Sequence, residues 1–123
     1  MRAKDAIGRY GEDVAVRRLG EDGLTILERN WRCRDGEIDI VGVDGRTLVF
    51  CEVKTRSSHL YGAPAEAITK AKAARLRRLA LQWLAARREA GGEEFWTELR
   101  FDVVSVTRSQ RGAAVVEHLR GAL

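Results

Sequence analysis

Three carboxylates and one lysine fall close together in two stretches of this chain that are otherwise apolar and β-branched. The first stretch holds Glu37 and Asp39, and the second, after a short turn, holds Glu52 and Lys54. Carboxylate oxygens bind hard divalent cations such as Mg²⁺ or Mn²⁺. Such a cation polarises a phosphoryl oxygen and activates a bound water, while a nearby lysine stabilises developing negative charge. These residue types therefore point to metal-dependent hydrolysis of a phosphodiester.

The register of a hairpin between the two stretches determines whether these side chains lie close together. The two β-rich runs flank Asp44-Gly45, a strong hairpin signal. A two-residue loop there places Asp39 opposite Phe50 and Glu37 opposite Glu52. All four polar side chains then project from one patch of one face, with Asp39 and Glu52 as diagonal neighbours. The alternation predicts an apolar opposite face that contains Ile38, Ile40, Val49, Cys51 and Val53.

Three arrangements would accommodate this concentration of charge. A divalent cation held by the carboxylates would offset their repulsion. An internal ion pair through Lys54, with one acid protonated, would do the same. A solvated polar face of an antiparallel strand shows similar alternation. We favour the cation, because the predicted opposite face is fully apolar.

The whole chain is predicted to be one α/β domain over residues 1–123, with a mixed β-sheet flanked by helices. Gly20 and Gly23 are expected to end the first helix, and Pro64 fits the first turn of the second. Periodicity predicts the element order α-β-β-β-α-β-β, with helices at 5–19 and 64–90 and strands at 25–34, 38–43, 48–53, 101–106 and 114–118.

One basic segment stands out against a slightly acidic remainder. The formal net charge is +4, yet residues 70–88 hold seven basic residues and no acid. Such asymmetry is typical of polyanion binding, although a solvated helix face looks the same. As nucleic-acid contacts we select Arg56, Lys70, Arg77 and Arg78.

Composition excludes several other classes of protein. No run of eighteen apolar residues is present, and the first residues lack the apolar core of a secretion signal. The two cysteines are too few for a disulfide framework or a structural zinc site. We therefore expect a cytoplasmic protein without a membrane partner, in which Cys51 is a small buried residue.

Asp39, followed after twelve residues by Glu52-Val53-Lys54, resembles the PD-(D/E)xK nuclease signature, with Ile38 at the place of the proline. The surrounding residues resemble the YraN-like family of small bacterial proteins, which is similar to the archaeal Holliday junction resolvases. The resemblance also rests on Gly36-Glu37-Ile38-Asp39, Phe50–Arg56, Gly11-Glu12, Arg29-Asn30 and Arg100–Val104.

This resemblance implies a restriction-endonuclease-like fold and a Mg²⁺- or Mn²⁺-dependent endonuclease that acts on DNA, with branched DNA as a candidate substrate in recombination or repair. It implies that Asp39 and Glu52 bind the metal, that Lys54 stabilises the transition state, and that Glu12 is a further acid of the site. Cleavage of both strands of a near-symmetric junction would suit a homodimer. A non-catalytic nucleic-acid-binding protein and an RNA nuclease remain alternatives.

Two acids keep more than one interpretation. Glu12 shares the apolar side of the first helix and is expected to point inward, either to the site or to a salt bridge with a nearby arginine such as Arg32 or Arg34. Glu37 is either a second metal ligand or the structural partner of Lys54.

The remaining polar residues are assigned to structure. Lys72 lies within the apolar stripe of the second helix, from which it could reach the site or extend its ammonium group to solvent. Asp102 is expected to pair with Arg100 on the same strand, and His59 and His118 are expected to have no function. The tryptophans, Trp31, Trp83 and Trp96, are interpreted as core residues.

Overall fold

A computed structural model describes residues 3–56, 69–109 and 112–123 of the chain. A mixed α/β architecture, as predicted, is confirmed for these residues. The predicted start of the second helix at Pro64 and the lone His59 lie outside them. The elements are α1 (Ala3–Glu21), β1 (Thr25–Cys33), β2 (Gly36–Asp44), β3 (Thr47–Arg56), α2 (Lys70–Glu89), β4 (Glu98–Thr107) and β5 (Val115–Leu119).

Within the described residues the strands form one mixed sheet in the order β1-β2-β3-β4-β5. Strands β3 and β4 are parallel, whereas the other neighbours are antiparallel. A parallel pair needs a crossover, and α2 lies in the connection between them. No helix in the described ranges is long and apolar enough to cross a membrane.

The two helices cover opposite faces of the sheet. Successive residues of β3 alternate between two apolar clusters, so that Phe50 packs with α2 and Cys51 packs with α1. Cys51 is fully buried, as predicted. Trp83 is buried in the α2 cluster, and Trp31 and Trp96 pack against it, which agrees with their interpretation as core residues.

Helix boundaries differ slightly from the predictions. Helix α1 continues through Gly20 to Glu21, and the chain turns at Gly23, whose φ of 96° suits glycine. Glycine in a helix interior is only mildly unfavourable, so Gly20 does not stop the helix. Helix α2 begins at Lys70, and the side chain of its N-cap residue Thr69 accepts a hydrogen bond from the backbone of Lys72.

The register of the β2–β3 hairpin is shifted by two residues from the predicted one. Asp44 pairs with Thr47 and Val43 pairs with Leu48, so the loop is Gly45-Arg46. Gly45 takes the first loop position with a φ of 61°, which favours glycine. The predicted pairing was therefore wrong, but an even shift keeps each side chain on the same face.

Strand β2 breaks its alternation at Asp39. Ile38 and Val41 pack in the same cluster against α2, whereas Ile40 packs in the cluster against α1. The predicted apolar face is therefore wrong at Ile38. The break coincides with Asn30 on β1, which has a φ of 52° and, like Asp39, is missing from the pairing between the two strands. The register is the same on both sides of this gap, with Arg29 opposite Ile40 and Trp31 opposite Ile38, so the break is a local distortion without an inserted residue.

Gly11 allows α1 to approach β3 closely. A Cβ atom at this position would collide with the hydroxyl oxygen of Thr55, whereas Gly8 on the same helix has open space around it. We expect Gly11→Ala to lower the free energy of unfolding by about 1–3 kcal/mol, the usual effect of overpacking. The control Gly8→Ala should be neutral or stabilising by up to about 1 kcal/mol. Urea unfolding of both variants tests this, and equal stabilities would contradict the close approach.

A buried polar network joins β4, β5 and the end of α1. The predicted pair is confirmed, since Arg100 Nε and Nη2 lie 2.9 and 3.0 Å from the two carboxylate oxygens of fully buried Asp102. His118 places its ring nitrogens 2.7 Å from Asp102 and 2.8 Å from Asp22. The histidine that looked isolated in the sequence therefore has a structural role.

Candidate active site

A cavity of about 260 Å³ opens between the sheet and α2 and brings the predicted residues together. Glu37, Asp39, Glu52 and Lys54 all line it, and α2 contributes Arg75. The location follows from the strand pairing, because the β2–β3 ladder ends at Ile40 and Cys51 while both strands continue beyond it. The cavity therefore forms where the two strands cease to pair.

Asp39 bridges the two strands at this point. The backbone N–H of Val53 donates a hydrogen bond to Asp39 Oδ2 over 2.8 Å. The carboxylate thus takes the place of a backbone acceptor just beyond the last paired residues. This bond uses Oδ2, so the second carboxylate oxygen, Oδ1, can bind another partner.

The surroundings of Asp39 disfavour its charged form. The pKa of its carboxyl is raised from 3.8 to about 6, chiefly by burial and also by the nearby carboxylates Glu37, Glu52 and Glu12. The hydrogen bond from Val53 opposes these effects in part. A cation beside Asp39 would offset both the desolvation and the repulsion.

Glu52 lies among cations rather than among acids alone. Its side chain is only 12% exposed, and its Oε1 atom lies 3.5 Å from Lys54 Nζ and 3.6 Å from Arg75 Nη2. Lys72 of α2 is close to Lys54, because burial and the neighbouring Lys54 both lower the pKa of Lys72. Glu37 instead accepts from Arg32 Nε at 2.9 Å. The predicted structural pair of Glu37 with Lys54 is therefore not the one observed, since Glu37 pairs with Arg32 and Lys54 pairs with Glu52.

Glu12 lies on the other side of the sheet from the cavity. It is buried, as predicted, and its Oε1 accepts from Arg29 Nε at 2.9 Å and from Asn30 Nδ2 at 2.8 Å. The expected alternative, a salt bridge with a nearby arginine, does form, but its partner is Arg29 and not Arg32 or Arg34. Because Asn30 marks the break in the strands beside Asp39, Glu12 supports the backbone on which Asp39 lies and adds negative potential to it.

The four residues selected as nucleic-acid contacts lie on two elements, α2 and the end of β3. Lys70 and Arg78 are exposed on α2, and Arg56 is half-buried at the end of β3. Arg77 places its guanidinium 5.7 Å from the ring centroid of Phe101 on β4. Their role in binding stays a prediction.

The selected set missed two cations of the site, Lys72 and Arg75. A signal for them exists in the sequence, because Lys72 precedes buried Leu76 by four residues and Arg75 precedes buried Leu79 by four. Residues four apart share a helix face, so both lysine and arginine lie on the side that faces the sheet. Of these two residues, only Lys72 was expected from the sequence to be able to reach the site.

The donor set fits a metal that relies partly on water and substrate. Within the described ranges, no group of three or more His, Cys, Asp or Glu side chains could by itself hold a metal ion. Mg²⁺, however, is usually bound through one or two carboxylates together with waters and substrate phosphates. Asp39 and Glu52 supply that number of carboxylates at one cavity.

Asp39→Asn is expected to be neutral or stabilising in the metal-free protein. The amide oxygen can still accept from Val53, while the disfavoured charge is removed. Because the folded-state pKa of Asp39 is raised from 3.8 to about 6, its ionisation destabilises the wild type increasingly as the pH rises through this window. The variant should gain about 1–3 kcal/mol relative to the wild type at pH 8 and nothing below pH 4.

Urea unfolding with EDTA between pH 4 and pH 8 measures this difference. A matched control is Glu98→Gln, which removes an exposed carboxylate beside Thr47, about 16 Å along β3 from Glu52. A variant destabilised by several kcal/mol at pH 8 would instead show that Asp39 is one half of a buried ion pair.

Comparisons with known proteins point to a single family. Residues 11–106, which include every residue of the cavity, match the sequence pattern of the uncharacterised protein family UPF0102. The chain is similar to a UPF0102 protein of Beutenbergia cavernae, with 60% identity over 121 residues and 98% of both chains covered. It is also similar to UPF0102 proteins of Frankia casuarinae, with 57% identity over 122 residues and 99% of both chains covered, and of Streptomyces griseus, with 53% identity over 121 residues and 98% of both chains covered.

Proposed function

This chain belongs to the uncharacterised protein family UPF0102, and we propose that it is a metal-dependent endonuclease that hydrolyses phosphodiester bonds in DNA. The observation that carries the proposal is the convergence of Asp39, Glu52 and Lys54 on one cavity beside α2. Two carboxylates and a lysine at one opening are the groups that phosphodiester hydrolysis with a metal requires. A restriction-endonuclease-like arrangement of the sheet and branched DNA as substrate are finer parts of the same proposal.

Each residue has a role that its position supports. Asp39, fixed by the Val53 hydrogen bond, and Glu52 would hold Mg²⁺ or Mn²⁺ through carboxylate oxygens. That ion, when bound, supplies Lewis acidity and an activated water. The Nζ atom of Lys54 lies 3.5 Å from Glu52 Oε1. Lys54 would therefore be close to a phosphate bound beside Glu52 and would stabilise the negative charge that develops on it. Glu12 acts from behind the sheet as a positioning residue for Asn30 and Asp39.

A second candidate is a nucleic-acid-binding protein without catalysis. The specific observation in its favour is that Glu52 already contacts Lys54 and Arg75, so that its charge is partly offset without a metal. In that case the cavity would be an internal ion-pair network, and the exposed cations of α2 would bind the phosphate backbone.

Cleavage assays separate the two candidates. Labelled linear, flap and four-way DNA, and a single-stranded RNA, are incubated with the pure protein in Mg²⁺, in Mn²⁺ and in EDTA. The nuclease predicts products with a metal that disappear in EDTA and in Asp39→Asn but persist in Glu98→Gln. Salt-dependent binding of DNA without any product, from a folded sample in either metal, would favour the binding protein. Products from RNA alone would revise the substrate.

A further inference from the structure

Three cationic side chains meet at one end of the cavity. Lys54 projects from β3, while Lys72 and Arg75 reach it from the first turns of α2. Lys54 and Arg75 both lie within 3.6 Å of Glu52 Oε1. Lys72 is close to the same group, because its pKa responds to the charges of Lys54, Glu52 and Arg75. Three cations therefore gather around this one carboxylate.

Two neighbouring ammonium groups repel each other unless an anion lies between or beside them. The helix holds them there nevertheless, because Lys72 and Arg75 share the face of α2 whose Leu76 and Leu79 are buried against the sheet. The packing of Leu76 and Leu79 thus fixes the Cα positions from which both side chains extend. Lys72 is half-buried and Arg75 is about half exposed, so a ligand can reach both.

We infer that Lys54, Lys72 and Arg75 form a binding site for a phosphate group, placed directly beside the two carboxylates. Arginine offers paired N–H donors that match phosphate oxygens, and lysine supplies a compact charge. The cavity would then have an acidic part, Asp39 and Glu52, for a cation and a basic part for the phosphate. The inference rests on the proposed function in that this phosphate is the substrate's, and it adds two residues of α2 to the site.

Phosphate of this kind has two sources, an internal phosphodiester of a strand and a terminal or free phosphate. Binding experiments with the pure metal-free protein distinguish them. The first probe is inorganic phosphate, and the second is a thymidine dinucleotide with one internal phosphodiester. The variants are Lys72→Met and Arg75→Met, and the matched control is Arg17→Met, an exposed arginine of α1, which covers the opposite face of the sheet.

Isothermal titration with each probe should show weaker binding to Lys72→Met and Arg75→Met by about ten- to a hundred-fold, the effect of one lost charged hydrogen bond. Arg17→Met should bind as the wild type does. Binding of the dinucleotide assigns the site to an internal phosphodiester, and binding of inorganic phosphate alone assigns it to a terminal phosphate. Equal affinities in all four proteins, or no binding of either probe to the wild type, would overturn the inference.

Kinetics distinguish failure of this inference from failure of the proposed function. If the chain cleaves DNA, Lys72→Met should raise KM by about tenfold or more with a smaller change in kcat, since a charged contact to the substrate is lost. Cleavage with an unchanged KM in Lys72→Met would refute the phosphate site and leave the nuclease standing. Binding of phosphate that depends on Lys72, without cleavage of any nucleic acid, would support the phosphate site and refute the nuclease.

Discussion

Asp39→Asn is expected to lower the rate of DNA cleavage by at least about 10³-fold, the largest effect of any single change at the site. A metal ion supplies several kcal/mol of transition-state stabilisation, and each 1.36 kcal/mol corresponds to a tenfold change in rate. Asp39 is the carboxylate that the Val53 hydrogen bond fixes at the end of the β2–β3 ladder. Its replacement by an amide should therefore remove the metal and the activated water together.

The variant should remain folded, which makes the loss interpretable. Its melting temperature in EDTA is expected to equal or exceed that of the wild type, while the control Glu98→Gln should retain full activity. Single-turnover cleavage of the best substrate from the panel measures the rates. Activity in Asp39→Asn within tenfold of the wild type would show that Asp39 is not a metal ligand.

Asp102→Asn is expected to cause the largest loss of stability, about 3–5 kcal/mol, as observed when one partner of a buried ion pair is removed. The Asp102 carboxylate is fully buried and accepts from Arg100, His118 and the backbone N–H of Gly121. Burial raises its pKa, but these hydrogen bonds outweigh burial and hold the pKa below 3.8. An amide would leave these three partners without a negatively charged acceptor.

The same network predicts a pH dependence of stability. Because the folded-state pKa of Asp102 is lowered, its contribution is fully present above the ordinary pKa of 3.8 and is lost as the pH falls below it. Urea unfolding at pH 7 measures the main effect, with Asp13→Asn as control, since Asp13 is 63% exposed and pairs only at the surface. The control should change by less than about 1 kcal/mol. A similar small change in Asp102→Asn would contradict the role of the network.

The sequence was sufficient to predict which residues of the β2–β3 hairpin share a face. Face depends only on the parity of the pairing, so the conclusion tolerated a register error of two residues. The error itself arose at the turn, where Asp44 pairs with Thr47 and Gly45 takes the position with positive φ. Local composition did not decide between Asp44-Gly45 and Gly45-Arg46 as the two loop residues.

The break at Asp39 depends on contacts that are distant in the sequence. Asn30 adopts a φ of 52°, a conformation that asparagine tolerates, and its side chain donates to Glu12 of α1. Regular alternation predicts the wrong face for Ile38, because periodicity reflects only neighbouring residues of one strand and this contact joins residues that are distant in the sequence. The orientation of Lys72 and Arg75 toward the cavity likewise depends on how α2 packs on the sheet.

The central claim is that Asp39 and Glu52 together hold a divalent cation, and a titration with Mn²⁺ followed by the EPR signal of the free ion tests it most directly. It needs no substrate and so does not depend on the identity of the nucleic acid. The account predicts saturable binding of Mn²⁺ to the wild type and to Glu98→Gln, and much weaker binding to Asp39→Asn and Glu52→Gln. Equal binding by all four proteins, or a wild type that leaves the signal of the free ion unchanged, would contradict it.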